Sequence, residues 1–153
     1  MLHERTFTVE DGRTFATLSG DHNAIHQPFP STGPPPSCPF PRPVVPGMLT
    51  SSLFSTVFGC TLPGSVYLSQ TLRFRRPVEY EQPLVVRVQV NEVRRHKGKG
   101  NTAEQQGAQV SRAIVECSTV ISDAQNGQVV VDGNATVLVP AVRFPALKDN
   151  RTT

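Results

Sequence analysis

Nine of the chain's fourteen prolines stand between Pro28 and Pro46, and no other feature restricts the fold so sharply. Proline fixes φ and has no amide proton, so a run this dense forms neither a helix nor an interior strand. The segment 28–46 is therefore expected to be loop, with regular structure gathered on either side. One stretch has the makings of a long helix, Gly47 to Gly59 ("GMLTSSLFSTVFG"). Leu49, Leu53 and Val57 recur every four positions with Phe54 and Phe58 beside them, while Ser51, Ser55 and Gly59 form a small-residue strip. Pro46 suits the first turn, where no amide proton is missed, and Gly59 suits a C-terminal cap. Apolar side chains cover so much of the circumference that this helix is expected to be buried.

From Ser65 onward the periodicity changes to that of strands. "SVYLSQTLRF" is rich in β-formers, and "LVVRVQVNEV" alternates Val86, Val88 and Val90 with Arg87, Gln89 and Asn91, the pattern of a sheet with one wet face. "AIVECSTVIS" and "QVVVDGNATVLV" continue it, with Asn126-Gly127 between them as a hairpin turn signal. The segment from His96 to Gln109, with Gly98, Gly100 and Gly107, suits a long polar hairpin connection. At 153 residues the chain can bury one core but hardly two, so residues 1–153 are expected to make a single domain.

No apolar run approaches bilayer length. The stretch Met1 to Arg13 mixes Glu4, Glu10 and Asp11 with basic residues and has no apolar block, so neither a secretory leader nor an acid-poor transit peptide is expected there. Cys38, Cys60 and Cys117 are odd in number and far apart, which predicts free thiols, two of them in or near core segments, and argues against a disulfide framework or zinc knuckle. The net charge of +3 is concentrated in Arg73, Arg75 and Arg76 and in the run from Arg94 to Gly100. Such runs are commonly solvated loops; they also suit an anionic partner such as a nucleotide phosphate or an acidic carrier protein. Nucleic acid is not expected, because no aromatic residues interleave with these charges.

The chemistry concentrates in Gly20 to His26, "GDHNAIH". Asp21 and His26 are five apart, close enough for a loop to converge them on one small volume. A carboxylate and an imidazole placed together can hold a water molecule and move its protons, one accepting while the other donates. On spacing alone, Asp21 capping a turn and His26 satisfied in the core explains the residues as well. Asn23 reads as an orienting hydrogen-bond partner or a plain turn residue. His22 and His26 are four apart, yet the glutamate of a zinc hydrolase's HExxH is missing and no second ligand cluster is present, so no metal is expected. "KGKG" is too short for a phosphate loop, and no redox cofactor has a motif.

The ordered combination "FATLSGDHNAIH", "RPVVPGMLTSSLFS" and "LPGSVYLSQTLRFRRPV" resembles the MaoC-like hot-dog family, specifically its (R)-specific enoyl-thioester hydratases and mitochondrial 3-hydroxyacyl-thioester dehydratases. The likeness runs through residues 15–77 and afterwards rests on the strand pattern and the "VLVP" ending. Gly20, Asp21, Asn23 and His26 match the family's Gly-Asp-x-Asn-Pro-x-His, with Ala24 at the proline position. The resemblance implies an α+β hot-dog fold, a curved antiparallel sheet of about five strands wrapped around one long central helix. It implies that Asp21 and His26 hold the water that adds to a trans-2-enoyl thioester or leaves an (R)-3-hydroxyacyl thioester, on coenzyme A or acyl carrier protein. Asp21 would be the base, with His26 orienting the water and helping proton delivery. Negative charge on the thioester oxygen needs a stabiliser, and the free amides at the start of the buried helix supply one; Gly47, lacking a side chain, permits the closest approach. The family's helix serine corresponds to Ser55, which equally fits a tight helix contact. Two departures stand out: Pro46 replaces the histidine usual before Gly-Met, and the proline-rich segment replaces a short alanine-rich helical stretch.

Water addition requires no cofactor. The resemblance further implies a homodimer or higher homo-oligomer paired edge to edge, with the acyl pocket at the interface. The dehydratase branch favours a mitochondrial location over a peroxisomal or cytoplasmic one, and "DNRTT" is no peroxisomal address. Two rival functions fit the same residues: a hot-dog acyl-CoA thioesterase directing water at the carbonyl carbon, and a non-catalytic acyl-thioester binding subunit whose pocket Pro46 and the rebuilt loop have closed.

Overall fold

A computed structural model of the chain describes residues 2–96 and 112–140. Apart from His96, the polar connection expected at 96–109 lies outside the described residues. Strand β1 (Leu2–Thr6) leads into helix α1 (Val9–Ser19), a single 3-10 turn (Ala24–His26), the long helix α2 (Gly47–Thr61), and then β2 (Val66–Gln70), β3 (Arg73–Phe74), β4 (Pro83–His96), β5 (Arg112–Asp123) and β6 (Val129–Pro140). All pairings are antiparallel, in the order β1-β4-β5-β6-β2, with β3 also on β6. The architecture is the α+β arrangement that the resemblance implies, five strands along one path with the two-residue β3 beside them.

Alternation drives the sheet. Ala113, Val115, Cys117, Thr119, Ile121 and Asp123 of β5 are all buried, every second residue. The buried side of α2, with Leu53, Phe54, Val57 and Phe58, packs on this face in two groups, one with Leu84, Val86, Ile121 and Val131, the other with Val115, Cys117, Val137 and Val139. Burying a side chain such as Phe54 contributes roughly 2–3 kcal/mol. The expected apolar face of β4 holds at Val86 but not at Val90, which is 54% exposed. Val90 pairs with Cys117, beyond which a bulge interrupts the β4–β5 register, and the end of α2 packs on β5 and β6 instead.

Two elements depart from expectation. Helix α1 was not foreseen; Thr8 accepts a hydrogen bond from the Asp11 amide at 3.1 Å while Asp11 accepts one from the Thr8 amide at 2.8 Å, a complete capping box. Helix α2 does not stop at Gly59. It runs on to Thr61, and Leu62 is its C-cap, because Phe58 and Leu62 continue the apolar stripe into the second core group. Cys117 is buried, Cys38 half-buried and Cys60 exposed, all three as free thiols. The hairpin at Asn126-Gly127 forms, with Gly127 at φ 72° and the Asp123 amide donating to the Gln128 carbonyl.

Candidate active site

The proline-rich segment is loop, as expected, and its far end is tied to the stretch that precedes it. The Val44 amide donates to the Ile25 carbonyl at 3.0 Å, the Val45 amide donates to the Val78 carbonyl at 2.7 Å, and Val44 bridges Glu79. The loop's last residues thus pass beside the 3-10 turn and enter α2 at Pro46. That path sets the position of His26.

Nδ1 of His26 lies 2.8 Å from the Val44 carbonyl oxygen. A carbonyl can only accept, so Nδ1 carries a proton and Nε2 is the nitrogen left to face other groups. Nε2 points at Asp21, with Oδ2 at 3.8 Å. The separation is too long for a direct hydrogen bond and suits a water touching both groups. The other carboxylate oxygen, Oδ1, accepts the Asn23 amide at 3.1 Å, which orients the acid. His26 is 13% exposed by side chain and Asp21 43%, so the histidine is the sheltered member of the pair. The Tyr80 hydroxyl holds the turn from below, donating to the His26 carbonyl at 2.9 Å. Its ring runs under α1 at Gly12, where a Cβ would collide with the phenol. Burial pushes the Tyr80 hydroxyl's pKa up, so it stays a protonated donor.

His26 lines a cavity of about 460 Å³ together with Ile25, Phe40, Gly47, Met48 and Phe74. The start of α2 opens onto it. Pro46 is the N-cap and no side chain caps this helix, so the amides of Gly47, Met48 and Leu49 have no acceptor within it; the first intrahelical bond runs from the Thr50 amide to the Pro46 carbonyl. The missing side chain at Gly47 also has a packing consequence. A Cβ there would sit 2.8 Å from the Phe74 ring, which is half-exposed and walls the cavity.

Two expected residues stand elsewhere. Asn23 accepts the Ile25 amide through Oδ1 at 3.3 Å and caps the 3-10 turn; it does not line the cavity. Ser55 is exposed, two turns along α2, in a neighbouring groove of about 460 Å³ with Met48, Tyr67, Leu68 and Gln70. Met48 borders both spaces. In the groove, Tyr67 stacks edge-on to Phe58 at 5.3 Å, and burial, with the Cys117 thiol second, pushes its hydroxyl's pKa up to about 12. Among the described residues no three His, Cys, Asp or Glu side chains are placed to hold a metal ion. Tyr80, Phe74 and the Val44 carbonyl were missed from sequence. Their contacts with residues 26 and 47 are long-range, and only the glycines at 12 and 47 hinted at them.

Comparison with known proteins finds relatives over most of the chain. The family model described as "MaoC like domain" matches residues 2–111. Over 136 residues the chain is 34% identical to the mitochondrial 3-hydroxyacyl-[acyl-carrier-protein] dehydratase of Arabidopsis thaliana, covering 89% of this chain and 72% of that one. Over 140 residues it is 34% identical to the (R)-specific enoyl-CoA hydratase of Aeromonas caviae, covering 89% of each. A solved structure of the (R)-hydratase from A. caviae involved in PHA biosynthesis superposes with a TM-score of 0.69 at 32% identity, over 92% of this chain and 93% of that one.

Proposed function

Because the chain belongs to the MaoC-like domain family, we propose that it is a hydro-lyase of fatty acid metabolism that adds water reversibly to trans-2-enoyl thioesters and, in reverse, dehydrates (R)-3-hydroxyacyl thioesters. One hot-dog unit carries the reaction. The observation that supports it most is the placing of Asp21 Oδ2 and His26 Nε2 3.8 Å apart beside a helix whose first amides are uncapped.

The pair acts with one proton between them, Asp21 as carboxylate and His26 as imidazolium, with Nδ1–H on the Val44 carbonyl. Water donates to Asp21 and accepts from Nε2–H. As its oxygen attacks Cβ, its proton passes to Asp21 and the π electrons move onto the thioester oxygen. The amides at the start of α2 face that developing charge. Nε2–H then protonates Cα and restores the thioester, and Asp21 returns its proton to Nε2. The net change is H and OH added across the double bond. General acid-base action of this kind contributes about 10²–10⁴ in rate.

Beyond Met48, the groove at Ser55 would take the acyl chain. Strand β2 ends the sheet with Val66, Tyr67 and Leu68 exposed, and a second copy pairing on that edge would cover them, close the groove and make a homodimer. Coenzyme A and acyl carrier protein both suit as carriers. A mitochondrial location is the reading that the Arabidopsis relative's name supports.

The test is loss of enoyl absorbance with trans-2-butenoyl-CoA, chiral analysis of the product, and thiol release from butanoyl-CoA in parallel. Hydration to the (R)-alcohol without thiol release supports the proposal. Thiol release from the saturated substrate makes the protein a thioesterase, and binding without either reaction makes it a non-catalytic subunit.

A further inference from the structure

The cavity at His26 has two cationic walls that behave differently. Arg75 is neutralised: its Nε lies 2.8 Å and its Nη2 3.4 Å from the two oxygens of Asp132 on β6. Arg42, nearby on the proline-rich loop, is likewise paired with Glu79 at 2.9 Å. Arg76 lines the same cavity as Arg75, is exposed, and has no carboxylate partner among the described residues. No Asp or Glu lines this cavity; Asp21 borders it only through His26, with Oδ2 3.8 Å from Nε2. Protein acids thus take up the guanidinium groups of Arg42 and Arg75, while that of Arg76, at the cavity, has none among the described residues.

We infer that Arg76 binds the phosphate of the phosphopantetheine arm that carries the thioester. The inference rests on the proposed function, whose substrates leave the cavity through this arm whether it ends in coenzyme A or in a carrier protein. Arg presents a planar fork of donors that meets two phosphate oxygens at once, which an acyl chain, a thioester or a pantetheine amide does not repay. The apolar walls, Phe40, Met48 and Phe74, suit the reacting end, so the charge at the rim has its use on the carrier.

The experiment measures dissociation constants by calorimetry at low ionic strength for butanoyl thioesters of coenzyme A, 4′-phosphopantetheine, acyl carrier protein and N-acetylcysteamine, with wild type, Arg76→Ala and Arg76→Lys. These saturated ligands need no turnover, so a failure of hydration would not prejudice the result. Arg76→Ala should weaken the three phosphate-bearing ligands about tenfold, the effect of one charge-assisted contact at an exposed site. It should leave the phosphate-free thioester within about twofold, Arg76→Lys should recover most of the loss, and molar salt should erase the difference. Equal weakening of the phosphate-free ligand would make Arg76 a packing residue and overturn the inference. So would a loss confined to coenzyme A, which would assign the site to the nucleotide's phosphates, or one confined to the carrier protein, which would assign it to that protein's acids. No change with any ligand overturns it as well.

Discussion

The two helices begin in opposite ways. Helix α1 starts with every device for closing a helix end: Thr8 and Asp11 cap each other's amides, Arg5 pairs with Asp11 at 3.2 Å, and Glu10 adds a second acid to the first turn. The bond from the Thr8 amide, chiefly, holds the Asp11 carboxyl below the usual carboxylate range. Helix α2 starts with a proline that has no side-chain donor or acceptor and a glycine that has no side chain. Forgoing a cap costs about 1 kcal/mol, which six buried residues on α2 offset several times over. The closed end has its amides satisfied by its own first turn. The open end lies on the cavity of His26, and under the proposed function it would meet a ligand's charge.

Substitutions can sharpen that contrast. Asp21→Asn and His26→Ala should each lower kcat for enoyl hydration by about 10²–10⁴ while the melting temperature stays near that of wild type, since both side chains serve a loop beside the open end. Gly47→Ala should lower activity by about 10–100-fold, because its Cβ would press on Phe74; adding Phe74→Ala should return part of the loss, and a double variant no better than the single would remove Phe74 from the account. Pro46→Ser installs the side-chain cap that α2 lacks. Steady-state kinetics should show a fall in kcat of about tenfold or less, and denaturant unfolding a stability equal to wild type or higher by up to about 1 kcal/mol. The smallest effect on chemistry is expected from Thr8→Ala, which opens the closed end: about 1 kcal/mol less stability with unchanged kcat. Because the Asp11 carboxyl is lowered by folding, the stability it contributes is present above the ordinary carboxylate pKa of about 4 and is lost as pH falls through its lower folded value; Asp11→Ala should flatten that acid limb of the unfolding free energy.

Much of this was legible in the chain because it is local. Proline density marks the loop at 28–46, and alternation marks β5 and β6. The five-residue spacing of Asp21 and His26 allowed the convergence that the 3-10 turn provides. Helix α1 went unseen although Thr8-x-x-Asp11 is a capping signal, since its apolar residues are sparse and only Gly12 and Ala16 are buried. The supports of His26 were not legible at all: the Val44 carbonyl is 18 residues away and the Tyr80 hydroxyl 54, and a backbone carbonyl carries no residue-type signal. The place of Ser55 follows from the helix itself. Eight residues past Gly47 along a helix is about 12 Å, enough to leave the site of reaction for the groove beyond Met48.

The most direct test is a crystal structure of Asp21→Asn with trans-2-butenoyl-CoA bound. The thioester oxygen should lie within about 3 Å of an amide nitrogen in the first turn of α2, with Cβ facing a water beside His26 Nε2. A thioester seated with its carbonyl away from that turn, in every copy of the molecule, would contradict the division of labour proposed for the two helix ends.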